Sequence, residues 1–136
     1  MIFIDTGAFI SRYIAKDEHH ASSVRFWDQL RDLRERLFTS NFVLDETITL
    51  IGRRGGYSFA AEKARKFYTS KVMTIIRPTF ETEQKAVAVF EKYADQKISF
   101  TDCTSFVLME QHGIDKVFSF DRHFEYAGYL LLPKYL

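Results

Sequence analysis

Short apolar runs separated by amphipathic stretches recur along the whole chain, and no other feature constrains the fold as much. MIFI at residues 1–4 is an apolar run with β-branched side chains that ends at Asp5, Thr6 and Gly7, which predicts a buried strand giving way to a turn and helix. From Ala21 to Leu37 the apolar residues Val24, Trp27, Leu30, Leu33 and Leu37 recur every three or four positions among Arg, Asp and Glu, the spacing of an amphipathic helix. Phe38 to Ser40 reads as a second short strand, with Ser40 or Asn41 capping a helix from Phe42 to Arg53 that RRGG at 53–56 stops. Tyr57 to Ser70 is again helical, and VMTII at 72–76 is a strand. Pro78 and Thr79 open a helix to about Tyr93. Ser99 to Gln111 is the next helix, stopped by Gly113, followed by strands KVFSF at 116–120 and GYLLL at 128–132. This order predicts an α/β fold, helices packed around a mostly parallel sheet. Ligands of such sheets bind beyond the carboxyl ends of the strands, and Asp5 and Asp121 fall at such ends.

Length and composition bound the rest. A chain of 136 residues that is 46% hydrophobic suits a single domain spanning 1–136. No run approaches the length of about eighteen apolar residues that a membrane span needs, and the start carries no basic leader, so a cytoplasmic protein is expected. Cys103 is the only cysteine, which excludes an internal disulfide and a CxxC zinc site and leaves it as a small buried hydrophobe. A net charge of +1 neither demands nor excludes a polyanionic partner.

Four acids stand out by context: Asp5 after IFI, Glu46 within FVLDETITLI, Asp102 in SFTDCTSF, and Asp121 after VFSF. Each has an ordinary explanation. Asp5 and Asp121 could cap the helices that follow them, and Asp102 near a first turn suits the helix dipole. Glu46 resists that treatment. Its helical neighbours are Phe42, Val43, Thr49 and Leu50, so its carboxylate lies along a largely apolar stripe, while Asp45 turns toward solvent. If the four converge, repulsion at ~5 Å costs roughly 3 kcal/mol per pair at an effective dielectric near 20, and a counter-charge is required. A divalent cation such as Mg2+ or Mn2+ matches carboxylates, the hydroxyls of Thr6, Thr101 or Ser105, and water.

IFIDTGAFI, VLDETITLI, SFTDCTSF and VFSFDRHF, in this order and near these spacings, resemble the PIN-domain ribonucleases, especially the VapC-type toxins of toxin–antitoxin pairs. The likeness spans essentially the whole chain. It implies a three-layer α/β/α sandwich with a central, mostly parallel sheet of four or five strands, and metal-dependent endonucleolytic cleavage of RNA. Carried over position by position, it makes Asp5, Glu46, Asp102 and Asp121 the catalytic, Mg2+- or Mn2+-holding acids, with Asp121 matching the most variable of them. Thr6 matches the small hydroxyl residue beside the first acid, and Thr101 and Ser105 flank the third. An antitoxin partner and a homodimer are implied as well, with the helical faces at 21–37 and 57–70 as possible interfaces.

Other chemistries fit less well. An aspartyl phosphatase would carry a second Asp two residues after the first, where Gly7 stands, and no GxxxxGK or GxGxxG fingerprint occurs. Arg12, Arg53, Arg54 and Arg122 are candidates for RNA phosphate contacts, Arg122 first by proximity to Asp121. His19, His20, His112 and His123 share no metal-ligand spacing; His19 and His20 fall in the loop before the long helix, His112 suits the dipole at a helix C-terminus, and His123, close to Asp121, could touch substrate, with surface solvation as the default reading. Two readings remain beside a toxin: a PIN-domain nuclease of RNA processing, and a silent PIN-like module that binds RNA or protein.

Overall fold

The computed structural model describes residues 1–134. Five strands, β1 (Ile2–Ile4), β2 (Leu37–Ser40), β3 (Met73–Ile76), β4 (Lys116–Phe118) and β5 (Leu130–Leu132), form one sheet in the order β3-β2-β1-β4-β5. Every pair is parallel, with Ile2 opposite Leu37 on one side and Ile4 opposite Phe118 on the other. The helices are α1 (Thr6–Tyr13), α2 (His20–Leu33), α3 (Asn41–Gly55), α4 (Tyr57–Thr69), α5 (Phe80–Lys92), α6 (Phe100–Gln111) and the short α7 (His123–Tyr126). The chain winds outward from β1 through β2 to β3, then crosses back to lay β4 on the free side of β1. Right-handed crossovers running in opposite directions put the two groups of helices on opposite faces of the sheet, the expected three-layer α/β/α sandwich. The reversal between β1 and β4 opens a crevice at their carboxyl ends.

Local chemistry explains most element ends. Ser40 accepts the Val43 N–H at 3.1 Å, Thr79 the Thr82 N–H at 3.2 Å and Ser99 the Asp102 N–H at 3.1 Å, so α3, α5 and α6 each begin at a hydroxyl cap. Gly113, at φ +65°, turns the chain after α6. The helix expected over 21–37 ends earlier. Arg34 adopts a left-handed conformation at φ 53°, stopping α2 at Leu33, and Leu37 enters β2 as a buried strand residue. β4 is likewise shorter than 116–120, because Ser119 and Phe120 leave the β1 ladder for the crevice.

The core anchors α1 to the sheet. Phe9 lies between Trp27 and Phe67, at ring-centroid distances of 5.7 and 4.9 Å, and Trp27 sits 5.1 Å from Phe118. Trp27 Nε1 and the Ser23 hydroxyl both donate to the Ala8 carbonyl, at 3.1 and 3.2 Å. Each buried ring contributes about 1.5–3 kcal/mol, and together they fix the helix whose first turn follows Asp5. Trp27 and Phe67 are thereby core residues, while Tyr68 is exposed and Phe59 half-buried. Among the described residues, no helix is long and apolar enough to cross a membrane.

Candidate active site

Asp5 occupies the position before α1 with an extended backbone, yet its side chain caps nothing. Its N–H donates to the Phe118 carbonyl at 3.1 Å, tying the end of β1 to the end of β4. Its Oδ2 accepts the hydroxyl of Ser119 at 2.7 Å, and the same hydroxyl oxygen accepts the Asp121 N–H at 3.0 Å. Asp121 in turn accepts the His123 N–H through Oδ1 at 2.9 Å, closing the turn into α7. Asp102 enters from the first turn of α6, held by the Ser99 cap, and Glu46 is half-buried on α3 while Asp45 is exposed.

All four acids, drawn from four separate segments, line one open cleft of about 570 Å3 at the carboxyl ends of β1 and β4. Thr6, Lys97, Ser99, Ser119, Phe120, Arg122 and His123 also line it. Asp5 is only 4% exposed and Asp102 8%. Burial, moderated by the Ser119 hydrogen bond, pushes the Asp5 carboxyl up from 3.8 to about 6. Burial followed by the charges of Asp5 and Asp121 pushes Asp102 up to about 9, with a hydrogen bond to Asp121 favouring its protonated form. A proton thus does the neutralising when no cation is present.

The donor set fits a divalent cation. Asp5 Oδ1 and Thr6 Oγ1 are buried without any hydrogen-bond partner. Asp102, Asp121 and His123 each present a ligand atom, all within 4.8 Å of one another. Carboxylates, an orphaned carboxylate oxygen and a hydroxyl suit a hard ion that keeps some of its waters. Asp5 and Glu46 line the same cleft outside that closest trio.

Several residues singled out in the sequence lie elsewhere. Ser105 is fully buried and spends its hydroxyl on the Thr101 carbonyl at 3.0 Å, and neither residue lines the cleft. Arg12 stacks over Trp27 at 4.7 Å and Tyr13 at 5.2 Å. Arg54 pairs with Asp17 at 3.6 Å, and Arg53 sits beside it in the last turn of α3. Of the four arginines only Arg122 lines the cleft. His112 Nδ1 donates to the Leu108 carbonyl at 2.9 Å, at the end of α6.

Three site features escaped the sequence reading, and a fourth, His123, is read there only for substrate contact. Ser119, a polar residue inside an apolar run two positions before an acid, was a legible signal. Lys97 is exposed at the cleft on a left-handed backbone of φ 54°, a conformation that nothing in its neighbours foretells. His19 lies flat against Phe120, ring centroids 4.2 Å apart and planes within 1°, making part of the cleft wall aromatic. His123 presents a nitrogen within 4.8 Å of ligand oxygens of both Asp102 and Asp121.

Comparison with known proteins points the same way as this geometry. The family model described as PIN domain matches residues 2–128. The chain is 34% identical over 130 residues, 96% of each protein, to the 23S rRNA-specific endonuclease VapC20 of Mycobacterium tuberculosis. It is 37% identical over 124 residues to a VapC ribonuclease of Archaeoglobus fulgidus, covering 89% of this chain and 77% of that one. The crystal structure of Mycobacterium tuberculosis VapC20, described as a Sarcin-Ricin loop cleaving toxin, superposes with a TM-score of 0.87 at 32% identity, covering 96% of this chain and 97% of the other.

Proposed function

Because this chain belongs to the PIN-domain family, we propose that it is a metal-dependent endoribonuclease and the toxin of a toxin–antitoxin pair, working as one domain over residues 1–136 in the cytoplasm. The observation that carries the reading is the meeting of Asp5, Glu46, Asp102 and Asp121 in one cleft, with exposed Lys97 and Arg122 at its margin. The likeness to proteins named VapC over nearly the full chain supports it. VapC20 is named for 23S rRNA, so a hairpin of that RNA carrying the sarcin–ricin loop is the first substrate to try. A cognate antitoxin and a second copy of the chain are the partners this reading entails.

Asp5, Asp102 and Asp121, with Glu46, would hold Mg2+ or Mn2+. When bound, such an ion supplies Lewis-acid polarisation of the phosphodiester and a lowered pKa for water. The chain's own residues do the rest. Ser119 holds the Asp5 carboxylate in one orientation through its 2.7 Å hydrogen bond, so the site is set before substrate arrives. Glu46, half-buried on α3, orients the attacking water and takes its proton as the oxygen adds to phosphorus, and the proton passes to the leaving ribose oxygen as the opposite P–O bond breaks. Lys97 and Arg122 receive the RNA backbone on either side of the scissile phosphate.

The test is single-turnover cleavage of the hairpin. Cleavage should require Mg2+ or Mn2+, cease with chelator, and fall at least 100-fold in Asp5→Asn and Asp102→Asn, in the range of losing a key electrostatic group. Near-wild-type rates in either folded variant would remove that residue from the mechanism, and chelator-resistant cleavage would remove the metal.

A further inference from the structure

We propose that His123 is a nitrogen ligand of the metal held by this cleft, and that it tilts the site toward transition-metal dications such as Mn2+ over Mg2+. The proposal rests on the reading that the acids hold a divalent ion. Its own support is the geometry around Asp121. His123 Nδ1 lies 3.0 Å from Asp121 Oδ1, close enough for an ordinary ion pair. Yet that nitrogen is buried and makes no hydrogen bond, because the contact lacks the required direction, and Oδ1 already accepts the His123 backbone N–H at 2.9 Å. The two atoms therefore sit side by side, where a donor and acceptor would point at each other.

Side-by-side placement is what two neighbouring ligands of one ion show. With octahedral bonds of ~2.1 Å at right angles, adjacent donor atoms lie about 3.0 Å apart. Asp102 brings a third ligand atom within 4.8 Å of both. Independently, Asp5 is 96% buried by its 4% exposure, lines the same cleft, and its Oδ1 has no partner. The backbone that carries the imidazole is anchored, since it begins α7 and the next residue, Phe124, is wholly buried against Phe106 at 5.0 Å. Replacing an oxygen by an imidazole nitrogen favours ions along the Irving–Williams series, whereas Mg2+ is a hard ion served best by oxygen.

The experiment is Mn2+ binding to the full-length, chelator-stripped protein, followed by electron paramagnetic resonance. Pulsed measurements on the wild-type protein should show modulation from a directly bound imidazole nitrogen. His123→Ala should lose it and bind Mn2+ about 10-fold or more weakly, while its competition by Mg2+ changes less than about threefold. The nitrogen signal is read on the unaltered protein, so misfolding of the variant does not blur the answer. If the wild type binds Mn2+ in a manner that Asp102→Asn weakens, but shows no imidazole nitrogen, His123 is only the ion-pair partner of Asp121 and the inference is overturned while the acidic site stands. An imidazole signal that survives in His123→Ala overturns it equally. If the wild type binds no Mn2+, or binds it as well after Asp102→Asn, the acidic-site reading itself fails and takes this inference with it.

Discussion

Ser119 donates its hydroxyl to Asp5 Oδ2 at 2.7 Å across 114 positions of sequence, and accepts the Asp121 N–H at 3.0 Å with the same oxygen. One buried side chain thus orients the Asp5 carboxylate, anchors the backbone at Asp121 and links the ends of β1 and β4.

Ser119→Ala removes the interaction that most restrains the Asp5 pKa from rising further than about 6. A hydrogen bond to a charged group is worth about 1.5–3 kcal/mol, which corresponds to a shift on the order of one pKa unit or more. Protons would then compete with the metal at higher pH. The acid limb of the pH–rate profile for RNA cleavage should move upward by about one unit, with kcat at pH 8 reduced less than at pH 6.5. An unshifted limb in a folded variant would show that Ser119 does not position Asp5.

Asp102 predicts an unusual stability profile. Its carboxyl is raised from 3.8 to about 9, and that of Asp5 from 3.8 to about 6. A carboxyl whose folded pKa is raised favours the folded state fully below about pH 4 and loses that contribution as pH rises through the folded value. The metal-free protein should therefore lose Tm steadily from pH 5 to pH 9, as far as these two groups govern it, and Mn2+ at pH 8 should restore the loss. Asp102→Asn should raise the metal-free Tm at pH 8 by several degrees and abolish most of the metal-induced gain. Calorimetry with and without chelator measures both, and a lower metal-free Tm in the variant would contradict the cost of burying this carboxylate among the other acids.

Much of this could be read without coordinates because the informative residues sit where local rules are strong. IFI before Asp5 and VF before Ser119 are strands by side-chain shape, and an acid directly after a parallel strand is delivered to the ligand-binding end by topology alone. Less legible were features that depend on side-chain direction. Leu37 continues the helical spacing of α2, and only the left-handed Arg34 reassigns it to β2. Arg12 follows Asp5 by seven residues, two turns along α1, yet its guanidinium stacks on Trp27 away from the acids. Ser105 is three positions from Asp102, and its hydroxyl satisfies a backbone carbonyl within the helix. Proximity in sequence gave the segment; which way the side chain faces was decided by packing.

At the other end of the sheet, Glu35 binds Lys116 at 2.6 Å and the amino terminus of Met1 at 2.7 Å, joining the amino ends of β1 and β4 to the segment two residues ahead of β2. The hydrogen bonds of Lys116 and the terminal amine lower its pKa from 4.5 to about 2. A depressed carboxylate stabilises the fold above its unfolded value and loses that contribution as pH falls through the folded one. Glu35→Gln should cost about 1 kcal/mol in urea unfolding at pH 7, as befits a partly exposed pair. The gap between wild type and variant should close between about pH 4.5 and 2. A constant gap over that window would assign the loss to packing instead of charge.

Arg122 and Lys97, both exposed at the cleft, offer the sharpest discrimination among the basic residues. Each phosphate contact releases counterions and adds ~0.7 to the slope of log K against log salt for a single-stranded partner. With catalysis blocked by Asp102→Asn, the RNA affinity of Arg122→Ala and of Lys97→Ala should each show a slope shallower by about 0.7, and the double variant about twice that. Arg53→Ala serves as the control, because Arg53 is exposed on α3 and does not line the cleft. Its slope should stay unchanged. If Arg53→Ala flattens the salt dependence as much as Arg122→Ala, the RNA follows a path over α3, and the contacts proposed at the cleft margin do not carry the backbone.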